Sequence, residues 1–196
     1  LVQGLKEGGM SAVGKHFPGH GHVRADSHAE LPFDERSYAD IELADLVPFA
    51  RLIRAGLPAI MPAHIVYGAV DSRPAGFSGV WLKRILRDEL GFDGLVFSDD
   101  LSMEGARAFG DIVTRTRAAL EAGCDMALVC NDPAAVDTLY AEFTDPMPAV
   151  SLARLARLHG RAAAESMVKL REDARYVEAL HAIAGLGQGS GELPLA

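Results

Sequence analysis

Histidines cluster in one short stretch near the start of the chain. His16, His20, His22 and His28 fall within thirteen residues, directly behind Lys15. The proline and glycine residues between them favour an irregular loop after a strand. Histidine changes charge near neutral pH, and loops at strand ends commonly carry binding and catalytic groups. This stretch is therefore the first candidate for a functional site.

Within that stretch, Asp26 precedes His28 by two residues. In a bent loop this spacing brings a carboxylate to an imidazole nitrogen, which fixes the tautomer of the histidine and stabilises its protonated form. A histidine held in this way exchanges protons around neutral pH, so the pair is a candidate general acid/base. The alternative is an aspartate that closes its own turn beside a solvated histidine.

A second candidate lies at the end of an apolar run, where Asp99 and Asp100 follow one another. An ionised carboxylate is costly to bury without partners, so packing does not explain an aspartate at the end of a buried strand. Consecutive strand residues project in opposite directions, which leaves one of the two for a site and the other for capping the next segment. The spacing alone does not choose between them.

Two other chemistries are open for the histidine stretch. A metal ion would find ligands in His16, His20, His22 and Asp26, although their spacing matches no established zinc motif. Lys15, at a strand end, would suit a Schiff-base mechanism as in barrel aldolases. Nothing around these residues singles out either chemistry, and we predict a site without a metal or a cofactor.

Four short apolar runs must position these residues, and they cover 11–16, 59–64, 94–99 and 125–130. Each is apolar nearly throughout, which is typical of strands covered on both faces of a parallel sheet. Helical patterns occupy 40–56, 78–90, 114–123 and 151 to about 181, with Gly56 as the stop of the first and Ser78 as the N-cap of the second. The order of elements predicts an α/β fold of parallel strands with flanking helices.

Polar residues follow each predicted strand, as catalytic groups do at the C-terminal ends of strands in a (β/α)8 barrel. Such a barrel has eight strands and typically about 250 residues, whereas only four strands can be counted in these 196 residues. We therefore expect half of a barrel.

Composition and charge exclude several classes of function. Hydrophobic residues make up 49% of the chain, and the formal net charge is -8. An acidic chain is a poor partner for nucleic acid and for anionic membrane surfaces. No stretch approaches the roughly 20 apolar residues of a membrane span, and an extended segment would hold Cys124 and Cys130 too far apart to form a disulfide bond. These features favour a cytoplasmic protein with reduced thiols.

Six longer motifs follow one another along the chain: Lys15–Gly21, Asp26–His28, Met61–His64, Pro74–Ser78, Phe97–Ala106 and Ala122–Met126. Together they resemble the β-N-acetylhexosaminidases of glycoside hydrolase family 3. The resemblance implies a retaining exo-glycosidase that removes terminal N-acetylglucosamine from peptidoglycan fragments (muropeptides) in cell-wall recycling, through a covalent glycosyl-aspartate intermediate.

The resemblance also implies a role for particular residues. The aspartate that follows the serine of the Ser-Asp-Asp-Leu motif is the nucleophile in that family, which corresponds to Asp99. The histidine of the Asp-Ser-His motif is the acid/base, which corresponds to His28, with Asp26 as its partner. Lys15 and His16 correspond to the pair that binds the sugar hydroxyls.

The family's barrel also has an N-terminal half, which supplies the first strands and further sugar-binding residues. The resemblance therefore implies that residues 1–150 are the C-terminal half of the catalytic barrel and that 151–196 form a helical extension with a flexible tail. We expect a separate N-terminal half or a second copy of the chain to complete the barrel. Two alternatives stay open, an N-acetylglucosaminide phosphorylase and an inactive half-barrel that needs its complement.

Overall fold

The computed structural model describes residues 1–23, 31–161 and 166–186. The chain forms two compact units. The larger unit spans Ser11–His159 and contains the sheet, and the smaller one contains Gln3–Met10 and residues from Gly160 onward. The assignment of 1–150 and 151–196 to separate domains stays a prediction.

Four parallel strands form the central sheet of the larger unit: β1 (Val13–Phe17), β3 (Ala59–Pro62), β5 (Leu95–Asp100) and β6 (Met126–Leu128). They hydrogen-bond to one another in the order β1-β3-β5-β6. Each strand overlaps one predicted apolar run. The predicted α/β fold with parallel strands is confirmed, and β1 and β6 form the two edges of the sheet within the described residues.

A second, two-stranded sheet lies beside the first connection. It pairs β2 (Phe33–Asp34) with β4 (Val66–Tyr67) in parallel. Tyr67 is fully buried, and its ring packs edge-to-face against Trp81 at a centroid distance of 5.1 Å. The small sheet therefore joins the segment after β1 to the apolar core.

Two helices, α2 (Tyr38–Leu43) and α3 (Leu46–Arg54), replace the single helix predicted after β2. Pro48 has no N–H to donate to the carbonyl of Ala44 four residues earlier, and its ring crowds that carbonyl. The helix therefore breaks at Ala44. The predicted stop at Gly56 is confirmed, since Gly56 has a φ of 83° as glycine commonly does just beyond a helix.

The connection from β3 to β5 contains a 3-10 turn (Ala75–Phe77) and a π-helix (Val80–Glu89). The Oγ of Ser78, predicted as the cap, accepts a hydrogen bond from the backbone N–H of Trp81 at 3.1 Å. Trp81 is fully buried and meets the ring of Phe17 on β1 at a centroid distance of 6.0 Å. The π-helix is thereby packed against β1, the strand that contains Lys15 and His16.

The last helices of the larger unit are α4 (Glu104–Arg107), α5 (Ile112–Ala122), α6 (Pro133–Glu142) and α7 (Ala149–Ala156). Helix α5 begins earlier than the sequence predicts, because the carboxylate of Asp111 accepts the backbone N–H of Thr114 at 2.7 Å. A groove of about 750 Å³ lies between α5, β6 and α6, and its lining includes Met126, Leu128 and Leu139.

The side chain of Asp125 connects several elements at the amino ends of the strands. The side chain is buried and accepts hydrogen bonds from Arg87, the backbone N–H of Val96, Ser151 and Arg154 at 2.6–3.0 Å. Buried carboxylates are stable when they are paired and hydrogen-bonded in this way. The contacts fix α7 to β5 and β6.

The smaller unit contains α1 (Val2–Glu7), α8 (Met167–Glu172) and α9 (Ala174–Leu186). The helix predicted from 151 to about 181 is thus divided: α7 ends at Ala156, α8 begins at Met167, and Asp173 adopts an extended backbone conformation between α8 and α9. The sequence predicts the flexible tail at the glycine-rich end Gly185–Gly191; Gly185 and Leu186 belong to α9, and 187–196 lie outside the described residues. No helix in the described ranges is long and apolar enough to cross a membrane.

Candidate functional site

Polar side chains collect at the carboxyl ends of the four parallel strands. Lys15 and His16 lie in β1, His64 follows β3, and Asp99 and Asp100 end β5. Because the strands are parallel, all these ends meet at one edge of the sheet. The tertiary structure thus brings together residues that are up to 85 positions apart in the sequence.

Asp99 is 8% exposed and has two differently placed carboxylate oxygens. Its Oδ1 accepts a hydrogen bond from the backbone N–H of Asp100 at 2.8 Å. Its Oδ2 lies 3.9 Å from Nε2 of His16. One oxygen is therefore fixed by the backbone, while the other faces the side chain of a different strand.

Asp100 is buried to a similar degree, but its carboxylate is hydrogen-bonded to residues that follow β5 and β6. Oδ1 accepts hydrogen bonds from the backbone N–H and hydroxyl of Ser102 and from the backbone N–H of Cys130, and Oδ2 accepts one from Asn131. Burial acts to raise the pKa of Asp100, but these hydrogen bonds outweigh it and lower the pKa below the ordinary value. Asp100 therefore joins the end of β5 to the residues after β6.

A second side-chain contact between β5 and β6 lies two residues earlier, at Ser98. The hydroxyl oxygen of Ser98 accepts the backbone N–H of Leu128 at 2.9 Å, in place of a carbonyl. Ser98 and Asp100 alternate with Asp99 along β5, so their side chains turn to β6 while that of Asp99 does not. The register between the two strands is irregular between Phe97 and Asp100 for this reason.

His16 lies between Asp99 and a second histidine. Its ring meets that of His20 edge-on at a centroid distance of 5.9 Å, and its side chain is 29% exposed. Lys15 is exposed at the same strand end. Of the predicted pair, His16 therefore lies beside Asp99, and Lys15 precedes it in β1.

Asp26 and His28 lie outside the described residues. The segment that leads to them is anchored at Gly19, whose carbonyl accepts the hydroxyl of Tyr67 at 2.6 Å. Glycine is required at this position, because a Cβ would lie 2.4 Å from Oδ1 of Asp45. The start of the predicted acid/base loop is thus tied to the small sheet and to α3.

Arg36 holds Asp45, the residue that lies against Gly19, in place. Its guanidinium binds both carboxylate oxygens of Asp34 and Oδ2 of Asp45 at 2.6–3.1 Å. These charge-assisted hydrogen bonds raise the pKa of Arg36. Burial acts to raise the pKa of Asp34, but the contacts with Arg36 lower it overall, so the carboxylate of Asp34 stays ionised beside the guanidinium.

His64 is a buried polar residue that the sequence analysis leaves without a role. It is 1% exposed, and its Nε2 lies 3.1 Å from the carbonyl oxygen of Asp100. Its ring stacks on Phe77 at a centroid distance of 5.5 Å. The sequence signal is its position at the end of the second apolar run, next to the strand that carries the aspartates.

No group of three or more histidine, cysteine, aspartate or glutamate side chains in the described ranges is arranged to hold a metal ion. His16, His20 and His22 of the metal alternative are described, whereas Asp26 is not. A carboxylate such as that of Asp99, with one oxygen fixed by the backbone and the other near His16, is suited to nucleophilic attack on a bound substrate.

A family model described as the N terminal domain of glycosyl hydrolase family 3 matches residues 1–157. The chain is 60% identical over 196 residues to the β-hexosaminidase of Thiobacillus denitrificans and 56% identical over 195 residues to that of Nitrosospira multiformis. The matches cover all of this chain but 55% and 56% of those proteins, so the chain spans about half the length of these curated relatives.

Solved structures are similar over most of the chain. NagZ from Neisseria gonorrhoeae in complex with N-trifluoroacetyl-D-glucosamine matches with a TM-score of 0.85 and 45% identity, over 94% of this chain and 53% of that one. A β-N-acetylglucosaminidase of glycoside hydrolase family 3 from Paenibacillus sp. matches with a TM-score of 0.72 and 33% identity, over 85% and 35% of the respective chains. The parallel sheet, its polar edge and these similarities agree: the chain belongs to glycosyl hydrolase family 3.

Proposed function

We propose that this chain carries the nucleophile and the acid/base of a retaining exo-β-N-acetylglucosaminidase that acts on peptidoglycan fragments. The observation that carries the proposal is the contrast between the two aspartates. Asp100 is occupied by four hydrogen bonds within the sheet, whereas Oδ2 of Asp99 faces the rim near His16. The contrast supports Asp99 as the nucleophile.

In the first step, Asp99 attacks the anomeric carbon and forms a glycosyl-ester bond while the bond from that carbon to the leaving oxygen breaks. His28 gives its proton to the leaving oxygen, and Asp26 stabilises the imidazolium beforehand. In the second step His28 takes a proton from water, which attacks the anomeric carbon and releases Asp99 as a carboxylate. Two inversions give net retention.

Lys15 and His16 bind the sugar hydroxyls at the rim in this proposal. The position of His16 beside Asp99 supports its part in that role, and Lys15 lies next to His16 in β1. The substrate is a terminal N-acetylglucosamine on a muropeptide, and the reaction belongs to cell-wall recycling in the cytoplasm. No cofactor takes part.

The active barrel also requires an N-terminal half in this proposal. Two edge strands, β1 and β6, end the described sheet, and an unpaired edge strand presents free backbone donors and acceptors. The groove beside β6 is lined largely by apolar side chains such as Met126, Leu128 and Leu139. The chain spans about half of its curated relatives. These features fit the N-terminal half of the same barrel as the occupant of the β6 edge.

The test uses what we call the completed barrel, the chain combined with the N-terminal half of the Thiobacillus denitrificans relative. Hydrolysis of a nitrophenyl N-acetyl-β-glucosaminide is expected. Asp99→Ala should abolish it, and azide should restore turnover as a glycosyl azide of inverted configuration, because azide replaces the missing nucleophile. The assignment is wrong if Asp100→Ala loses hydrolysis while Asp99→Ala keeps most of it.

A second arm tests His28 and the type of reaction. His28→Ala should slow a disaccharide substrate more than a nitrophenyl glycoside, because nitrophenolate leaves without protonation. Equal losses on both substrates would contradict acid catalysis by His28. Formation of sugar 1-phosphate in phosphate buffer would replace the hydrolase with a phosphorylase.

A further inference from the structure

His64 is buried next to the end of β5, the strand that carries the two aspartates. It follows β3, the strand between β1 and β5, and its side chain is almost completely buried. One face of its ring stacks on Phe77, which in turn stacks on Phe109 at a centroid distance of 4.1 Å. The ring is therefore held in one plane by packing and has little rotational freedom.

The hydrogen bond of His64 fixes its tautomer. Nε2 lies 3.1 Å from the carbonyl oxygen of Asp100, and a carbonyl only accepts, so Nε2 carries the proton and donates it. Nδ1 is buried and has no hydrogen-bond partner among the described residues. A proton on Nδ1 would leave a buried donor unsatisfied, so the structure accommodates the neutral ring.

The charges around His64 agree with a neutral ring. Burial lowers the pKa of His64, while the negative charges of Asp99 and Asp100 act to raise it and Arg115 acts to lower it. The net direction is downward. A neutral imidazole donates its hydrogen bond to the carbonyl of Asp100 without placing a positive charge next to the carboxylate of Asp99.

The contact holds the peptide unit that follows Asp100, and the N–H on the other side of Asp100 is the donor that binds Asp99. The backbone N–H of Asp100 donates to Oδ1 of Asp99, and the side chain of Asp100 is held by residues after β5 and β6. Its carbonyl accepts hydrogen bonds from His64 at 3.1 Å and from the backbone N–H of Met103 at 3.2 Å. Asp100 is thus fixed at three points. Through its N–H it sets the orientation of the carboxylate that faces the rim.

We infer that His64 is a positioning residue, which orients the nucleophile Asp99 by donating a hydrogen bond to the backbone of Asp100. The inference rests on the proposed function, because it assigns His64 to the step in which Asp99 attacks. Displacing a reacting group by about 1 Å can reduce a rate about 100-fold. His64 itself touches neither the substrate nor the reacting atoms.

Three variants separate the hydrogen bond from the packing. The side-chain amide nitrogen of glutamine reaches about as far as Nε2, whereas that of asparagine reaches only about as far as Nδ1. In the completed barrel, His64→Gln should keep kcat/KM for the nitrophenyl glycoside within about tenfold of the wild type. His64→Asn and His64→Leu should reduce it about 100-fold. Equal losses in all three variants would overturn the inference.

A double-mutant cycle distinguishes positioning of Asp99 from general damage to the fold. Azide does not depend on the orientation of a carboxylate, so the azide-supported rate of Asp99→Ala is expected to stay within about twofold when His64→Leu is added. If His64→Leu reduces that rate as strongly as it reduces wild-type hydrolysis, its role is structural only and the inference fails.

A measurement without turnover separates this inference from the proposed function. Nitrogen-15 NMR of the chain with labelled histidine should show the Nε2–H tautomer of His64 and no protonation between pH 5 and 8. A mobile or titrating ring contradicts the inference even if the barrel hydrolyses its substrate. Failure of hydrolysis in the wild type, with His64 fixed as the Nε2–H tautomer, would instead overturn the proposed function and, with it, the positioning role.

Discussion

Nε2 of His16 and Oδ2 of Asp99 lie 3.9 Å apart although their strands are not neighbours in the sheet. Strand β3 separates β1 from β5, so the two side chains meet over the end of β3. Such a contact across an intervening strand requires the sheet to curve at its carboxyl edge, as it does in a barrel. His16 and Asp99 therefore lie together at the carboxyl edge of the sheet.

His16→Ala is expected to weaken substrate binding more than it slows the chemical step. If its ring binds a sugar hydroxyl, the loss of one hydrogen bond should raise KM for the nitrophenyl glycoside about tenfold. Steady-state kinetics of the completed barrel measure this. His159→Ala, an exposed histidine after α7, is the control. An unchanged KM in His16→Ala would exclude a binding role.

Asp100→Asn is expected to cost stability in a pH-dependent way. The pKa of Asp100 is lowered in the folded state, so its stabilising contribution is present above its ordinary value of 3.8 and is lost as the pH falls through the folded value. The variant should therefore be about 1–3 kcal/mol less stable at pH 7, and the difference should shrink below about pH 4. Thermal unfolding of the completed barrel across pH measures both effects.

Asp99→Asn is the matched control for that prediction. Asp99 accepts one hydrogen bond among the described contacts, from the neighbouring backbone, so its replacement should change the melting temperature much less than that of Asp100. A larger loss of stability in Asp99→Asn than in Asp100→Asn would contradict the division of roles between the two aspartates.

Asp125→Ala is expected to destabilise the larger unit strongly. It leaves Arg87 and Arg154 without their shared buried partner, and removing one member of a buried ion pair typically costs about 3–5 kcal/mol. Asp93→Ala is the control, since Asp93 is 69% exposed and pairs with Arg154 and Arg157 at the surface. Its loss should cost less than about 1 kcal/mol. Similar melting temperatures for the two variants would refute the prediction.

Tyr67→Phe is expected to affect catalysis more than stability. The ring still packs against Trp81, but the hydrogen bond to the carbonyl of Gly19 is lost. If Gly19 anchors the loop that carries the acid/base, a substrate with a poor leaving group should lose about tenfold in kcat/KM and a nitrophenyl glycoside less. Tyr38→Phe, which loses an exposed contact with Glu89, should leave both substrates unaffected.

Leu139→Glu is expected to weaken association of the two barrel halves. Leu139 lines the groove beside β6, and an added charge there would have to be desolvated on association. Leu43→Glu, at a 79% exposed position on α2, is the control. Sedimentation of the mixed halves measures the complex. A cooperatively folded monomer of this chain that ignores the added half would refute completion by that half, and self-association would identify a second copy as the occupant.

The sequence by itself determined the class of fold and the places where polar residues accumulate. Continuous apolar runs such as 94–99 specify strands buried on both faces, because a partly exposed strand would alternate. Local chemistry also set several boundaries, among them the stop at Gly56 and the cap at Ser78. These features depend on neighbours within a few residues, which a sequence displays directly.

Boundaries governed by less obvious local effects were harder to predict. Pro48 lies inside an otherwise regular apolar pattern, and its missing N–H divides that helix at Ala44. The pattern from 151 to about 181 is interrupted after Ala156 and again at Asp173, although neither residue is a proline. Periodicity predicts the face of a helix, but it does not show where the chain leaves the helical conformation.

Only the tertiary structure decided how the polar residues divide their roles. Asp99 and Asp100 are identical side chains in adjacent positions, and spacing left them equivalent. The difference arises because residues about 30 positions later, Cys130 and Asn131, bind the carboxylate of Asp100 and leave that of Asp99 directed to His16. His64 likewise gains its partner from another strand. Such contacts follow from the order and curvature of the strands, which no local pattern encodes.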